Sequence, residues 1–597
     1  MCGIAGIVST NGKLAAEILP SMCDVVFHRG PDDEGLFTST TGLAALGHRR
    51  LSILDLSSRG RQPMATPDGR YAISFNGEVY NYVELRAELQ SRGVVFTTGT
   101  DTEVVLRAYE TWGVNALERL AGMFAFAIWD EGDRRLFIAR DRIGKKPLLY
   151  YWDGSRFAFC SELKQLLAIP RFRPELDPAA VELYLSFGYI PAPASIFKQV
   201  RKLPAAHYLE LSGGRLDIRR YWFPERSKTI PAADRRQRLE ELKSLLSDAV
   251  RIRLRSDVPI AMFLSGGVDS AAIAAECGAQ GHDIQAFTTT FDHDQTDLPF
   301  AELVAKHLGL RHEVVRTTGD AIGDEIHKII WHYDEPFADT SSIPSYYIAR
   351  ACQGRFRVVL NGDGGDEAFG GYRHYEHVRE KQLIKNVAIA LGLKDGRVNR
   401  PWHVYFQSKS LFRRAERAAL LGDRLQADCA VSEFLDSEVF LRAYCSPNAL
   451  KRALWADRHV YLPNDLLFKM DIALMASHIE GRSPFLDHRL LEWAQELPTR
   501  DIVSGSQKKV LLREALRHRL PHEVLDRPKH GFGAPIASWL RNSLADISHA
   551  FLPTPLFERR PQLQVLDVFR QSDGRSAGRV WTLLMFALWA KQWNVSW

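Results

Sequence analysis

The chain has 597 residues, 46% of them apolar and 25% charged, with a formal net charge of +5 at pH 7. This length exceeds what one hydrophobic core supports and predicts at least two domains, and the weak charge without dense Lys/Arg blocks argues against a nucleic-acid partner. Seven scattered cysteines without a CxxC pair indicate reduced thiols, and no stretch is long and apolar enough to span a bilayer. We therefore expect a cytoplasmic protein with no membrane partner.

Residues 1–222 are predicted to form a β-rich domain, because short apolar runs alternate there with turn signals. One hairpin is predicted at 125–141, where a polar turn separates "AFAIWD" from "LFIARD", and a second at 145–162. The segment 223–235 is polar, contains two prolines and lacks periodicity, which indicates a linker.

The segment 236–597 is predicted to be a second domain of a different type. Its first predicted elements are a helix at 235–254, a strand at 259–264, a helix at 270–280 and a strand at 284–291. This alternation is typical of a doubly wound parallel sheet with helices on both faces. The C-terminal third is predicted to be mostly helical, and its apolar end "VWTLLMFALWAKQW" is interpreted as core.

The sequence "FLSGGVDS" at 263–270 follows a predicted strand and precedes a predicted helix. Its two glycines allow close approach of the backbone, and its N–H groups and serine hydroxyls favour an anion at the helix start. The lysine of a Walker loop is missing, and a carboxylate, Asp269, stands in the turn instead. Because a carboxylate repels phosphate unless a cation bridges them, the pattern indicates Mg²⁺ on a pyrophosphate. A bare Gly-Gly would be interpreted as a plain turn, but the full motif is more specific.

A second glycine-rich turn, "VVLNGDGGDEAFGGY" at 358–372, again follows an apolar strand. Asp363, Asp366 and Glu367 are candidates to complete a metal site opposite Asp269. The alternative, an acidic solvated loop, requires neither the five glycines nor the preceding strand.

The chain opens with "MCGIAGIVS", which places Cys2 directly behind the initiator methionine. A lone cysteine is usually a small packing residue. If Met1 is removed, however, the Cys2 thiol lies beside its own α-amine, whose pKa of about 8 suits a general base near neutrality.

Further segments of specific composition lie in both halves of the chain. They are "HRGPDDEG" at 28–35, "GHRRLSILDLS" at 47–57, "FNGEVYNY" at 75–82, "TGTDTEVVL" at 98–106, "DEPFADTSSIP" at 334–344, "EGRSPFLDHRL" at 480–490 and "RPKHGFGAPI" at 527–536. Together with the N-terminus and the two turns, and in this order over nearly the whole chain, they resemble the glutamine-dependent asparagine synthetase family (the asparagine synthetase B type, with a class II glutamine amidotransferase domain). The resemblance implies an α/β two-domain fold: an N-terminal Ntn-hydrolase αββα sandwich, and a C-terminal ATP-pyrophosphatase (PP-loop) domain with a doubly wound parallel sheet and a helical C-terminal part.

For the first domain the resemblance implies a glutaminase. Cys2 would attack the amide, Asn76 and the Gly77 N–H would hold the oxyanion, and Arg49 would grip the glutamine α-carboxylate. Glu78 and Asp101 would take the α-ammonium. The implied glutamine-binding set is Arg49, Arg50, Leu51, Ser52, Ile53, Asn76, Gly77, Glu78 and Asp101. Singly, these residues have structural alternatives: a surface arginine, an Asn-Gly turn and a helix cap at Asp101.

For the second domain the resemblance implies that ATP adenylates a carboxylate and releases pyrophosphate. The implied adenosine contacts are Leu264, Thr289, Asn361 and Gly362, and the implied pyrophosphate contacts are Ser265, Gly266, Gly267 and Ser270. Mg²⁺ would be held by Asp269 and Asp366, and Asp269 is also one of the implied ATP contacts. Asp363 would face the acceptor. Lys529 would supply positive charge as a catalytic residue, with a solvated lysine as the alternative.

The implied activity is a ligase that converts glutamine, aspartate and ATP to asparagine, glutamate, AMP and pyrophosphate, with a homodimer as one possible assembly. The turn at 361–367 reads Asn-Gly-Asp-Gly-Gly-Asp-Glu, whereas the best-known relatives have Ser-Gly-Glu-Gly-Ser-Asp-Glu, so Asp363 is one methylene shorter than their glutamate. Thr289 also replaces an aliphatic residue. Two alternatives therefore stay open: an amidotransferase acting on another carboxylate, such as a surface-sugar uronic acid or a peptide precursor, and a catalytically inactive regulator, against which the intact Cys2 and acidic turns argue.

Overall fold

The computed structural model describes residues 2–595 except 11, 13–15, 171, 225–230, 292–295, 318–319, 379–405, 407–408, 423–428, 436, 438–445, 447, 529–530, 532, 543 and 546–575. Within this part of the chain, no helix combines the length and apolar character that crossing a bilayer requires.

The N-terminal part contains two six-stranded antiparallel sheets. The strands are β1 (Gly3–Ser9), β2 (Asp33–Thr38), β3 (Ala44–Arg50), β4 (Met64–Ala65), β5 (Tyr71–Val79), β6 (Gly122–Asp130), β7 (Arg135–Arg140), β8 (Leu149–Trp152), β9 (Arg156–Cys160), β10 (Val200–Lys202), β11 (His207–Ser212) and β12 (Arg215–Arg220). The helices are α1 (Ile18–Asp24), α2 (Tyr82–Ser91), α3 (Asp101–Trp112), α4 (Ala116–Arg119) and α5 (Pro178–Phe187), with 3₁₀ turns at Phe27–Arg29, Ser58–Gly60, Gly113–Asn115 and Leu163–Ala168. The strand orders are β10-β8-β9-β1-β3-β2 and β12-β11-β7-β6-β5-β4.

Alternation along β1 shows how these sheets form layers. Ile4 and Val8 pack between the two sheets against residues such as Trp129 of β6, whereas Ala5 and Ile7 face the opposite way, against α1 and α5. The outer face of the second sheet packs on α2 and α3. Because successive side chains of a strand point to opposite faces, β1 contributes residues both to the core between the sheets and to the core between the first sheet and its helices. The predicted αββα sandwich is confirmed. The predicted hairpins are also confirmed, as β6–β7 and β8–β9.

The C-terminal part is built on a five-stranded parallel sheet of order β15-β14-β13-β16-β17. Its strands are β13 (Ile260–Phe263), β14 (Gln285–Phe291), β15 (His312–Thr317), β16 (Val358–Leu360) and β17 (Glu480–Arg482); a separate two-stranded sheet is made by β18 (Val503–Ser504) and β19 (Gln507–Lys508). The helices are α6 (Arg235–Arg253), α7 (Val268–Ala279), α8 (Leu298–Leu308), α9 (Asp320–Tyr333), α10 (Ser342–Cys352), α11 (Gly365–Phe369), α12 (Arg414–Leu421), α13 (Cys429–Leu435), α14 (Ala449–Ala456), α15 (Leu467–Met475), α16 (His488–Glu496), α17 (Thr499–Ile502), α18 (Val510–Leu516), α19 (His522–Asp526), α20 (Ile536–Arg541) and α21 (Ala577–Gln592), with a π-type helix at Asp457–Leu466 and a 3₁₀ turn at Pro484–Leu486.

The predicted elements at the start of this domain match α6, β13, α7 and β14 within two residues at each end. The doubly wound parallel sheet is confirmed. The domain limits 1–222, 223–235 and 236–597 stay a prediction, with sheet strands lying on either side of the proposed linker.

The last helix, α21, belongs to the core as its composition predicted. Trp581, Phe586 and Trp589 are almost fully buried, in the same cluster as residues of α5 from the N-terminal sandwich. The Tyr184 hydroxyl of α5 donates to the Thr582 carbonyl at 2.7 Å. The helix α21 therefore packs against α5 of the N-terminal sandwich.

Candidate functional site

Cys2 lies immediately before β1 and is buried, with 7% of its surface exposed. Its backbone N–H donates to Asn76 Oδ1 at 3.0 Å, and its carbonyl accepts from Arg29 Nε at 3.1 Å. Burial raises the pKa of the thiol, against the opposing effect of Arg50 and the Leu51 N–H. The thiol is therefore held neutral and needs a base to become a nucleophile.

Asn76 and Gly77 lie in the middle of β5, opposite Ala125 and Phe124 of β6, so they do not form the hairpin turn that Asn-Gly often makes. A Cβ on Gly77 would come within 2.2 Å of the Met123 carbonyl oxygen, so only glycine fits there. Asn76 Nδ2 is buried and has no hydrogen-bond partner among the described residues. It is a preformed donor beside Cys2.

The two neighbouring arginines at the end of β3 point to opposite sides, as alternation along a strand requires. The Arg49 guanidinium pairs with Asp24 and, at 3.2 Å, with Glu34 Oε2. Arg50 instead lines the pocket that contains Cys2 and donates to backbone carbonyls in the loop 54–57. Among the described residues no carboxylate pairs with Arg50. Arg49, the residue predicted to grip an α-carboxylate, is thus turned away from this pocket, which Arg50 lines instead.

Two buried carboxylates, Glu78 and Asp101, line the same pocket as Arg50. Asp101 Oδ2 accepts from the Val79 N–H at 2.8 Å; the cap of α3 is the Thr100 side chain, so Asp101 is not a helix cap. Burial raises the pKa of Asp101 to about 6 and also raises that of Glu78, with their mutual repulsion adding to the effect on Glu78. Glu78 Oε1 is buried without a hydrogen-bond partner in the part of the chain described.

Of the predicted glutamine set, six residues line this pocket together with Cys2, while Asn76 contacts Cys2 directly and Ser52 lies outside it. Ser52 donates its N–H to Asp32 Oδ2 at 2.8 Å. The lining residues are Cys2, Arg50, Leu51, Ile53, Leu54, Gly60, Gln62, Phe75, Gly77, Glu78, Thr100, Asp101, Thr102 and Glu480. Sequence reasoning assigned no role to Gln62 or Glu480, although Glu480 opens one of the motifs quoted above.

Glu480 and Arg482 of β17 bring the second domain to the wall of this pocket. Arg482 donates to Glu480 Oε1 at 2.6 Å and to Glu78 Oε2 at 3.1 Å. Burial raises the pKa of Glu480, but the positive groups around it, including Arg482 and Lys146, together outweigh burial and lower that pKa to about 2. A buried carboxylate–guanidinium–carboxylate chain therefore joins the two domains beside Cys2.

The second site lies at the carboxyl ends of β13 and β16. In the sheet, β13 lies between β14 and β16. The connections on the two sides of β13 therefore run in opposite directions, and this reversal creates a crevice at the carboxyl ends of the strands. Ligands of doubly wound parallel sheets bind in such a crevice. Ser265 Oγ and Ser270 Oγ lie 3.1 Å apart, and Gly266 has φ +66° with no room for a Cβ. The predicted phosphate turn thus forms at the start of α7.

The turn opens on a cleft that also contains four cationic residues. They are Lys508, Lys509, Arg513 and Arg527. Arg513 Nε is buried and lacks a hydrogen-bond partner within the described residues. Lys509 Nζ lies 2.5 Å from both Asp269 Oδ2 and Asp366 Oδ1. Lys509 also adopts φ +52°, a strained conformation for a lysine at the start of α18.

Sequence reasoning missed Lys509 and selected Lys529 as the catalytic cation. Lys529 lies outside the described residues. The sequence indicates a role for Lys509 only weakly, because "SQKKV" at 506–510 contains no glycine motif of its own. Lys509 comes into contact with the two carboxylates only through the tertiary fold.

The predicted nucleotide residues gather around this crevice. Leu264 and Thr289 are buried at the ends of β13 and β14, and Asn361 and Gly362 follow β16. Asp363, in the same loop, has its Oδ2 atom closed off from solvent without a hydrogen-bond partner among the described residues. Burial raises the pKa of Asp363.

Asp269 and Asp366 are the residues that would hold a divalent cation at this site. Asp269 and Asp366 come from α7 and α11 and converge on one ammonium, so their oxygens already face a positive charge. A Cβ on Gly371 would lie 1.8 Å from Asp366 Oδ1, so glycine keeps this space open. Mg²⁺ is commonly held by one or two carboxylates and substrate phosphates. The pair fits this donor set, and the described residues hold no cluster of three or more metal-ligating side chains.

Comparison with known proteins identifies the family to which the chain belongs. The Glutamine amidotransferase domain matches residues 1–222, and Asparagine synthase matches residues 241–591, more than half of the chain. The chain belongs to the asparagine synthase family. It is 30% identical to "Asparagine synthetase [glutamine-hydrolyzing] 1" of Bacillus subtilis (strain 168), over 99% of this chain and 96% of that one.

Two further relatives frame the family's range. "Asparagine synthetase [glutamine-hydrolyzing] 3" of Bacillus subtilis is 32% identical, over 89% of this chain and 86% of its own. "Amidase chry2" of Gibberella zeae is 27% identical, over 90% of each. A solved glutamine phosphoribosylpyrophosphate amidotransferase of B. subtilis matches with 14% identity and a TM-score of 0.30, over 60% of this chain and 81% of its own, which adds nothing to what the strands show. This asparagine synthase family member is thus a ligase of the glutamine-hydrolysing, asparagine synthetase-like type, for which ATP binding is typical.

Proposed function

We propose that the protein hydrolyses glutamine at Cys2 and transfers the ammonia to the β-carboxylate of aspartate, activated as its AMP ester. The products are asparagine, glutamate, AMP and pyrophosphate. The observation that carries the proposal is β17. Glu480 at its start lines the Cys2 pocket, and Ser483, just after its end, donates to Asn361 Oδ1 in the nucleotide crevice. Three extended residues span at most about 10 Å, so one short strand connects the two sites.

The glutaminase half is supported by the charges of the pocket. Glutamine is a zwitterion, and Arg50, which lacks a carboxylate partner among the described residues, suits its α-carboxylate. Glu78 and Asp101 suit its α-ammonium. Once Met1 is removed, the Cys2 nitrogen is an α-amine that takes the thiol proton as sulfur attacks the amide carbon, and Asn76 Nδ2 and the Gly77 N–H hold the oxyanion. The amine then gives the proton to the leaving nitrogen as the C–N bond breaks and ammonia departs, and water hydrolyses the thioester to glutamate and free Cys2.

The synthetase half is supported by the cations around the phosphate turn. An aspartate β-carboxylate oxygen attacks the α-phosphorus of ATP, and the bond to the β-phosphate breaks as pyrophosphate leaves. Ser265, Gly266, Gly267 and Ser270 bind the leaving pyrophosphate, with Lys509 and Arg513 neutralising its charge. Leu264, Thr289, Asn361 and Gly362 bind the adenosine. Ammonia then attacks the acyl carbon, AMP leaves and a proton is lost.

Asp269 and Asp366 would hold Mg²⁺ in this scheme. When bound, the ion supplies positive charge that offsets the repulsion between these carboxylates and the phosphates. Lys509, now between the two carboxylates, would shift its ammonium toward the phosphates.

The test is an assay of pyrophosphate release across a panel of carboxylic acids with glutamine or ammonia as nitrogen source. Release that depends on aspartate, together with one asparagine formed per pyrophosphate, supports the proposal. Release with another acid and none with aspartate would refute the choice of acceptor while leaving the two half-reactions in place.

One observation favours this second candidate, an amidotransferase for another acid. Asp363 is shorter than the glutamate of the best-known relatives, which leaves more room beside the acyl group.

A cytoplasmic location and a homodimer also stay predictions, and light scattering of the purified chain tests the dimer.

A further inference from the structure

Lys145 is a buried lysine of the first domain that reaches into the second. It lies in the loop after β7 and is 6% exposed. Its Nζ donates to Ser483 Oγ at 2.5 Å, and Ser483 Oγ in turn donates to Asn361 Oδ1 in the nucleotide crevice. A side chain of the glutaminase domain therefore stands at the edge of the proposed amidation site.

The ammonium of Lys145 has an incomplete set of partners. Its neighbour Lys146 pairs with Asp471 at 3.4 Å, but no described carboxylate lies within 4 Å of Lys145. A buried ammonium of this kind normally pairs with an anion. Among the residues that the structure describes, its one acceptor is the neutral Ser483 hydroxyl, which leaves donors of Lys145 for a ligand.

The groups facing Lys145 are also incompletely paired. Asp363 Oδ2 and Asn361 Nδ2 are closed off from solvent, and neither has a hydrogen-bond partner of good geometry among the residues described. Asn361 nevertheless lies near enough to Asp363 to lower the pKa of that carboxyl, against the larger effect of burial. An ammonium and a carboxylate, close enough for each to affect the ionisation of the other, thus lie at this edge of the crevice.

We propose that Lys145 binds a second carboxylate of the acceptor, the one that is not amidated, so that the acceptor site is shared between the two domains. This inference rests on the proposed function and specifies its acceptor class as an amino acid with two carboxylates. The α-carboxylate of the acceptor would bind Lys145, and its α-ammonium would lie toward Asp363. A uronic acid, with one carboxylate and no ammonium, leaves both residues unpaired.

The ionisation of Lys145 is consistent with a missing anion. Burial lowers its pKa to about 7, and repulsion by Lys146 and Arg253 adds to this, while Asp363 and Asp471 act in the opposite direction. A bound carboxylate would stabilise the charged form. The KM for the acceptor should therefore rise as the pH increases above about 7, where free Lys145 loses its proton.

The experiment compares aspartate with β-alanine, which keeps the amine and the reacting carboxylate but lacks the α-carboxylate. Lys145→Met and the wild-type chain are assayed with ammonia as nitrogen source. Because a charged hydrogen bond contributes roughly 1.5–3 kcal/mol, the preference for aspartate should fall about 10- to 100-fold in the variant. The rise of KM with pH should also disappear. Lys198→Met, at a lysine exposed on the surface, is the control for the same chemical change and should keep both properties.

Glutamate release at Cys2 reports whether Lys145→Met folds. Ser483→Ala, which removes the acceptor of Lys145 Nζ together with the hydroxyl that donates to Asn361, should weaken the aspartate preference in the same direction. An unchanged aspartate KM in Lys145→Met, with loss only of the coupling between glutamine hydrolysis and amidation, would overturn the proposal and place Lys145 on the ammonia path. A wild-type chain inactive with aspartate but active with a monocarboxylic acid would overturn it too. The panel of acids distinguishes failure of the Lys145 assignment from failure of the proposed function, because the aspartate-dependent activity of the wild-type chain is measured independently of the variant.

Discussion

The two adjacent arginines at the end of β3 provide a sharp test of the glutaminase pocket. We expect Arg50→Met to raise the KM for glutamine strongly and Arg49→Met, the same change one residue earlier, to leave it nearly unchanged. Arg50 is 5% exposed inside the pocket, whereas Arg49 pairs with Asp24, whose side chain is 66% exposed, on the outside.

The magnitude follows from the partners of each guanidinium. Arg50 would contribute a charge-assisted contact to the glutamine carboxylate worth roughly 1.5–3 kcal/mol, which corresponds to an increase in KM of about 10- to 100-fold. The loop carbonyls at 54–57 also lose their donor, which costs about 1 kcal/mol of stability per lost bond. Exposed ion pairs such as that of Arg49 contribute about 0–1 kcal/mol.

The assay is glutamate release as a function of glutamine concentration. Ammonia-dependent synthesis in the same preparation serves as the control for folding and should stay near the wild-type rate in both variants. Equal losses in the two variants, or a larger loss in Arg49→Met, would refute the assignment of Arg50 to the α-carboxylate.

Further predictions concern the nucleophile, the cation, the pH and the N-terminus. Cys2→Ala should abolish glutamine-dependent synthesis and spare synthesis from ammonia; loss of both would contradict separate sites. Lys509→Met should lower pyrophosphate release about 100-fold or more while glutamate release continues, and an unchanged release rate would remove Lys509 from the phosphate site. Since the pKa of Asp101 is raised to about 6 and only its ionised form attracts an ammonium, the KM for glutamine should rise as the pH falls below 6, a dependence that Asp101→Asn should lack. Intact-mass analysis should show a chain without Met1; a retained methionine would refute the α-amine mechanism.

Much of the architecture could be predicted from local patterns. The strands and helices around 259–291 follow from apolar runs and glycine turns, and their alternation is enough to predict a parallel sheet. The phosphate turn could be predicted because its residues are contiguous and its chemistry depends on backbone N–H groups.

Contacts that depend on strand register and domain packing could not be predicted in this way. Arg49 and Arg50 are equivalent in the sequence, and only the placement of β3 in its sheet decides which one faces Cys2. Lys509 and Arg482 are distant in sequence from the carboxylates that they contact, Asp269 and Glu78. No local pattern reports such a meeting.

The packing of α21 against α5 makes the stability of the N-terminal sandwich depend on a helix that lies far from it in the sequence. The helix α21 completes the core beneath the first sheet, and burying side chains such as Trp581, Phe586 and Trp589 contributes roughly 1.5–3 kcal/mol each. A nascent or truncated chain that ends before Ala577 exposes the apolar face of α5 and leaves the Tyr184 hydroxyl without its acceptor. Removal of α21 is therefore expected to destabilise the N-terminal sandwich that contains the Cys2 pocket, although no residue of α21 lines that pocket.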